Sequence, residues 1–484
     1  MSLPTDFPSQ PKELWKHFYA FTQCPRPSGH EGIVREYVIG EAKKLGHEYK
    51  IDSVGNVLIN VPASKGYESH PSVVIQNHLD MVTDATPDRK INFQTEPIKT
   101  YVEADWLKAD RTTLGADNGI GCAAALALMT DDSIAHPPLE LLFTIDEETG
   151  LTGALGIDPT LVKSKRMINL DTEEWGALYI GCAGGINYEF QKDITFASGN
   201  KNYKTYQLTV GGLRGGHSGI DIHMQVGNAM KLLNELLVEL QAVDYELAEI
   251  RCGRAHNIIP REAYAYIRFS ANHQKQVEAV IAKMLKCWKS YLPKDDSGLE
   301  VNLELTNETK EVVSENDKKQ ILSFISLFPH GAHRYLHDSE EPLVSMSNNL
   351  AIVLVMNGKW YALSSLRFFD REEVRALEQQ MRQLSVAFNI QAIHEGEYPS
   401  WKPSPGNDLL EKVKSIYKEN FKQEARVTAI HAGLECGVLR DRIGPIDAVS
   451  FGPTIMGAHS PQERVQISTV DKFWKLVVAV IEAL

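Results

Sequence analysis

Histidines and carboxylates in this chain gather where apolar runs stop. The stretch LELLFTIDEETG (139–150) closes on Asp146, Glu147 and Glu148, followed by Gly150. Three other runs behave alike. SVVIQNHLD (72–80) delivers His78 and Asp80, RMINLDTEE (166–174) delivers Asp171, and IDAVSFGP (446–453) leads through a short loop to His459. LGADNGIG (114–121) adds Asp117 just ahead of an Ala-rich stretch.

Two histidines and several carboxylates, with no cysteine among them, form a donor set for a divalent cation such as zinc, manganese or cobalt. Packed carboxylates repel, and burial forces some to protonate; a divalent cation reverses that cost. Two ions about 3.5–4 Å apart can share one carboxylate and one bridging hydroxide. The adjacent Glu147 and Glu148 can then divide the work, one ligating and the other moving a proton. A sharp turn at Gly150 would let these neighbours point differently. Singly the pieces are bland: His-x-Asp closes many strands, and paired glutamates usually sit in solvent. Their weight comes from falling at successive strand ends. LGADNGIG is neither a Walker loop, lacking the following Lys-Ser/Thr, nor a dinucleotide-binding GxGxxG.

The elements that must position these groups follow from the runs. Continuous apolar segments of this length suit strands buried on both faces of a parallel sheet. In such open α/β sheets, ligands bind outside the carboxyl ends of the strands. DNGIGCAAALALM reads as a helix. The C-terminal STVDKFWKLVVAVIEAL reads as another, with Ser468 or Thr469 as cap and a stripe of Val470, Phe473, Val477 and Ile481. The expected fold is α/β, a doubly wound catalytic domain split in sequence into 1–185 and 396–484. Residues 186–395 read differently. KTYQLTVGG and AYAYIRFSA alternate as strands do, with the amphipathic VGNAMKLLNELLVEL between them. A second round follows in LEVNLELTN, LAIVLVMNG, YALSSLRFFD and REEVRALEQQMRQLSVAF. An inserted α+β domain is expected, in two rounds without a clear sequence repeat. The Pro- and Gly-rich HEGEYPSWKPSPGND is the return linker.

Composition narrows the classes. A net charge of −13 lacks the basic face that a nucleic-acid partner requires. The six cysteines are scattered, with no CxxC, and read as free thiols in a reducing compartment. No run reaches 18 apolar residues and the N-terminus lacks a signal-like pattern, so a cytoplasmic protein with no membrane span is expected. His330, His333 and His337 in PHGAHRYLHD have metal-like spacing but no carboxylate strand ends nearby, and read as a solvated loop or helix. Trp106 and Trp175 read as packing, Cys122 and Cys182 as small buried thiols.

NHLDMV, LGADNGIG, DEETGLTGA, NLDTEE, GGLRGGHSG, HNIIP and GAHSPQERV together resemble the zinc aminoacylase/carboxypeptidase superfamily with co-catalytic metals. Within it they are most similar to the bacterial aminoacyl-histidine (Xaa-His) dipeptidases, which are carnosinase-like. The resemblance runs from RPSGHEG (26–32) to the C-terminal helix. It implies two metal ions, zinc first, with manganese and cobalt as alternatives. His78 and Asp171 would hold one, Glu148 and His459 the other, and Asp117 would bridge them. Asp80 would orient His78, and Glu147 would be the general base for a bridging hydroxide. The inserted domain would be a lid carrying His217, an oxyanion-stabilising histidine. Dipeptides are the implied substrates: Arg367, with Asn257, would take the free carboxylate and Glu435 the free amine. His431 beside it reads as structural. In this superfamily the lid histidine often comes from a partner subunit, which would make a homodimer. A lid of this length could instead mimic that partner internally. Two other readings stay open: an amidohydrolase on N-acyl amino acids, and a non-catalytic metal-binding scaffold.

Overall fold

The computed structural model describes residues 3–308, 310–337, 342–403 and 406–484. The chain divides into two compact units. The first comprises 1–182, 401–429 and 434–484; the second comprises 183–400 and 430–433. Residues 430–433, within the second catalytic segment expected from the sequence, thus belong to the inserted unit.

In the first unit the four apolar runs are the four neighbouring parallel strands of an eight-stranded sheet. Leu139–Thr144, Val73–His78, Arg166–Asn169 and Asp447–Ser450 lie side by side in that order. All six residues of Leu139–Thr144 and of Val73–His78 are buried, as strands covered on both faces must be. Each such fully buried aliphatic side chain is worth about 1.5–3 kcal/mol. The flanking strands depart from the all-parallel expectation. Val57–Val61 runs antiparallel to Leu139–Thr144, and Ala177–Cys182 antiparallel to Asp447–Ser450. The sheet is mixed because short local connections, not helical crossovers, bring these strands in.

The helix Ala116–Thr130 lies close on the sheet. A Cβ at Gly121 would overlap the Asn77 side chain and the Leu170 carbonyl, so only glycine allows that approach. The C-terminal helix Ile467–Ala483 buries Val470, Phe473, Val477 and Ile481, the anticipated stripe. Its start differs from expectation. It begins at Ile467, one residue before Ser468, whose hydroxyl and backbone N–H both bind Asp105 instead of capping. Among the described residues, no helix is long and apolar enough to cross a membrane.

The second unit contains two nested copies of one motif. Strand Lys204–Gly211, helix Ala229–Glu239, strands Tyr245–Cys252 and Ala263–Phe269, helix Gln274–Tyr291 and strand Glu300–Thr306 form a βαββαβ half with strand order 4-1-3-2. Strand Gly184–Asp193 resumes after this half with helix Glu315–Leu327, strands Val344–Met356 and Lys359–Phe368, helix Arg375–Ala387 and strand Gln391–Tyr398, in order 2-3-1-4. The two halves meet strand 2 to strand 2: Ile250, Arg251 and Cys252 pair antiparallel with Val355, Leu354 and Val353. A pseudo-twofold therefore lies within the unit, over one apolar core that includes Leu233, Phe269, Trp288, Phe324 and Trp360.

Candidate metal centre

The carboxyl ends of the parallel strands carry the expected cluster. His78 is the last residue of its strand and 1% exposed. Its Nε2 lies 3.1 Å from Asp117 Oδ1 and 3.2 Å from Asp171 Oδ1. The other Asp117 oxygen faces His459, whose Nε2 is 3.3 Å from Asp117 Oδ2 and 3.0 Å from Glu148 Oε2. Asp117 thus belongs to two metal-capable groups, His78–Asp117–Asp171 and Asp117–Glu148–His459. The geometry brings together all five ligands expected from the sequence.

Backbone geometry explains how neighbours diverge. The turn after Leu139–Thr144 is made by Asp146 at φ 51°, and Gly150 merely ends the short helix Glu147–Gly150. The sharp turn thus sits four residues earlier than expected. An aspartate tolerates this left-handed conformation better than most residues because its side chain bonds locally, here to the Thr149 and Thr152 hydroxyls. The N–H groups of Glu147 and Glu148 then point at Asp80, at 3.0 and 3.1 Å. Asp80 also meets His78 Nδ1 at 3.2 Å and accepts the Ser28 hydroxyl at 2.7 Å. Asp117 sits at a break in the helix start, with φ −76° and ψ 118°.

Electrostatics report the density of negative charge. Burial pushes the Glu147 carboxyl well above the usual range, and neighbouring carboxylates add to this. Burial likewise raises Asp171 to about 7, with Asp117 reinforcing it, and raises Glu148. The histidines also shift upward, but for a different reason. Burial opposes their charging, yet the bonds to Asp117 and Glu148 lift His459 to about 12, and Asp171 with Asp117 and Asp80 raises His78. The protein alone must protonate these groups to tolerate them. Divalent cations would satisfy them instead, and Glu148 Oε1, buried with no hydrogen-bond partner, is oriented for such a ligand. The donor set fits two ions.

Glu435 begins the helix Glu435–Ile443. It is fully buried, 0% exposed, and its Oε2 accepts from Gln76 and Thr144, both at 2.5 Å. Gln76 in turn accepts from Asn169 at 2.6 Å. Its Oε1 is buried with no hydrogen-bond partner, while Oε2 braces the strands Val73–His78 and Leu139–Thr144 through Gln76 and Thr144. Glu173, two residues after Asp171, is only half-buried.

Within the second unit, His217, Ser218, Arg367 and Tyr398 form a cluster. Arg367 is 4% exposed; its Nε donates to Ser218 Oγ and its Nη1 to Tyr398 Oη, both at 3.2 Å. His217 Nδ1 accepts the backbone N–H groups of Gly219 and Ile220, at 3.2 and 3.1 Å. In the neutral ring, Nε2 therefore carries the hydrogen. It lies 3.5 Å from Arg367 Nη2, so two donors stand side by side, as an oxyanion would require. Asn257 is half-buried, and its carbonyl accepts the Ser218 N–H at 2.7 Å. His431 is buried against Ser347 Oγ at 2.8 Å, a packing histidine. His330 is half-buried and accepts the Leu350 N–H, and the strand Gly331–Tyr335 contains His333. Among the described residues, no metal-capable group includes His330, His333 or His337.

Sequence reading passed over Arg26 and Glu463, both inside recognised motifs. Arg26 is buried and donates to the carbonyls of Leu79, Asp80 and Gly115. Only its place beside a predicted catalytic strand could have marked it. Tyr398 gave no signal, since its partner Arg367 lies 31 residues away along the chain.

Comparisons with known proteins bear on the family and the fold. A peptidase dimerisation domain model (M20_dimer) matches residues 198–296, nearly all of the first βαββαβ half. The cytosol non-specific dipeptidase of Escherichia coli is 34% identical over 98% of this chain and 97% of its own length. The crystal structure of aminoacylhistidine dipeptidase from Vibrio alginolyticus superposes with a TM-score of 0.82 at 35% identity, covering 98% of this chain and 97% of that one. A tripeptidase from Staphylococcus aureus, 14% identical, shares the fold at a TM-score of 0.56 over 99% of both chains. The resemblance read from the motifs is borne out, and the chain belongs to the M20 metallopeptidase family.

Proposed function

We propose that this protein is a metal-dependent dipeptidase acting on short peptides, with Xaa-His dipeptides such as carnosine among its substrates. The observation that carries the reading is the shared Asp117: two three-residue ligand groups overlap at one carboxylate, with Glu147 beside them. His78 and Asp171 would hold one ion and Glu148 and His459 the other, with zinc as first candidate. When bound, two such ions acidify a water and polarise the scissile carbonyl.

The chain's own residues do the rest. Asp80 holds the Nδ1 side of His78, which leaves Nε2 directed at Asp117 and Asp171. It also fixes the backbone of Glu147. The Glu147 side chain, already inclined to hold a proton, takes one from the attacking water and returns it to the leaving amine. His217 Nε2–H donates to the developing oxyanion, and Arg367, held by Ser218 and Tyr398 and assisted by Asn257, takes the substrate carboxylate. Glu173 is the partly open carboxylate available to the free amine. The relatives named as dipeptidases support this substrate class, and the word cytosol in one relative's name supports a cytosolic location. A homodimer is part of this proposal only if another surface supplies it. The half matched by the dimerisation model already pairs with the second half of its own unit.

One observation favours a second reading. Glu435, the amine acceptor expected from the sequence, is fully buried, and an amidohydrolase on N-acyl amino acids needs no such acceptor. Incubating zinc-, manganese- or cobalt-loaded protein with carnosine, a dipeptide panel and N-acetyl amino acids separates the two. Dipeptide turnover is expected. Turnover confined to the acylated substrates favours the second reading, and none with any metal defeats both.

A further inference from the structure

Two of the five expected ligands do not come from the sheet: Asp117 sits at the broken start of the helix Ala116–Thr130, and His459 on the connection after Ile455–Met456. One carboxylate ties these two segments together. Glu463 lies in the hairpin between the short paired strands Ile455–Met456 and Arg464–Gln466, four residues after His459. It is 3% exposed. Its Oε2 accepts the backbone N–H groups of Leu114 and Gly115 at 2.7 and 2.9 Å, and its Oε1 those of Ala116 and Asp117 at 2.8 and 3.3 Å. Four consecutive amides thus close on one side chain from the far end of the chain. Such a nest of N–H groups is built for an anion, and here the anion is covalently attached to the strap that carries His459. From below, Arg26 holds the same segment by the Gly115 carbonyl.

We propose that Glu463 is a positioning residue that sets Asp117 and His459 together, so that both ion sites are preformed before metal arrives. The inference rests on the reading of these two residues as ligands. Asp117 must turn one oxygen to His78 and the other to His459, which its fixed backbone N–H makes possible. His459 is half-exposed at φ 61°, and its ring is bonded to Asp117 and Glu148. Its place therefore depends on where the strap is pinned. Releasing Glu463 loosens the shared ligand and one terminal ligand of the same ion, so the Asp117–Glu148–His459 ion suffers first.

Glu463→Gln tests this. An amide keeps one acceptor but turns its NH2 toward two of the four N–H groups. Metal titration by calorimetry should show two ions per chain for the wild type. For the variant, one site should weaken ~10–100-fold, the range for partners that orient ligands. A second measurement stands if the variant does not fold. In metal-free wild type, the amides of 114–117 should exchange more slowly than unbonded loop amides, because the clamp needs no metal. Fast exchange there, or wild-type affinity at both sites of a folded Glu463→Gln, overturns the inference alone. A wild type that takes up no ion overturns the ligand reading beneath it as well.

Discussion

The Asp80 carboxylate accepts the Glu147 backbone N–H at 3.0 Å through the same oxygen that meets His78 Nδ1 at 3.2 Å. A ligand and the proposed base are therefore held by one atom. The surroundings keep this carboxylate charged: despite burial, the His78 contact and the Ser28 hydroxyl hold it down at about 2. Asp80→Asn replaces an acceptor by a donor at this junction. Metal affinity and kcat should both fall ~10–100-fold. Calorimetry with steady-state kinetics checks this; wild-type values for both would sever the link.

Arg367 is gripped at Nε and Nη1, leaving its Nη2 beside His217 Nε2. Lysine cannot reproduce that fork. Arg367→Lys should raise KM for dipeptides by about tenfold or more, given roughly 1.5–3 kcal/mol for a charge-assisted bond. Dipeptide amides, which lack the free carboxylate, should lose much less. Equal losses on both substrates would remove Arg367 from carboxylate recognition.

Glu435 should be insensitive to the substrate amine. In Glu435→Gln the amide oxygen can still accept from Gln76 and Thr144, so dipeptide KM should stay close to wild type. Glu435→Ala, by contrast, removes the charged acceptor that both donors share, leaving them their longer contacts at 3.3 and 3.1 Å, and should lower stability by about 1–3 kcal/mol. A selective rise in KM for free-amine substrates in Glu435→Gln would restore the role expected from the sequence.

Away from the centre, His17 is buried between Tyr37 Oη at 2.7 Å and Thr130 Oγ1 at 3.0 Å. Burial lowers it to about 4. A histidine depressed in the folded state binds its proton more readily when unfolded. Folding stability is therefore lost as pH falls below the unfolded value of 6.5 toward 4, by about 2 kcal/mol between pH 7 and pH 5. Denaturation midpoints of the wild type and His17→Gln at the two pH values check this. The variant should show a shallower fall, and parallel curves would contradict it.

Much of the centre was legible because its ligands follow long buried strands. The runs ending at His78, Glu147 and Asp171 announce themselves by continuous apolarity, and a parallel sheet places such ends on one rim. The depth of Glu435 was not legible because burial is a tertiary property: nothing in HAGLECG reveals that a helix places this carboxylate under Gln76. Glu463 was invisible for a similar reason, its partners lying about 350 residues away along the chain. The duplication in the second unit hid because the halves are nested. The first half interrupts the second between Gly184–Asp193 and Glu315–Leu327, so no contiguous repeat exists to be found.

The central claim is that these side chains gather two ions that activate water, with Glu147 handling the proton. Its most direct test is metal stoichiometry paired with turnover in Glu147→Gln. The account predicts two ions per chain in both proteins, with kcat on a dipeptide reduced ~10²–10⁴-fold in the variant. Undiminished turnover in the variant, or a fully chelated wild type that still cleaves dipeptides, would contradict it.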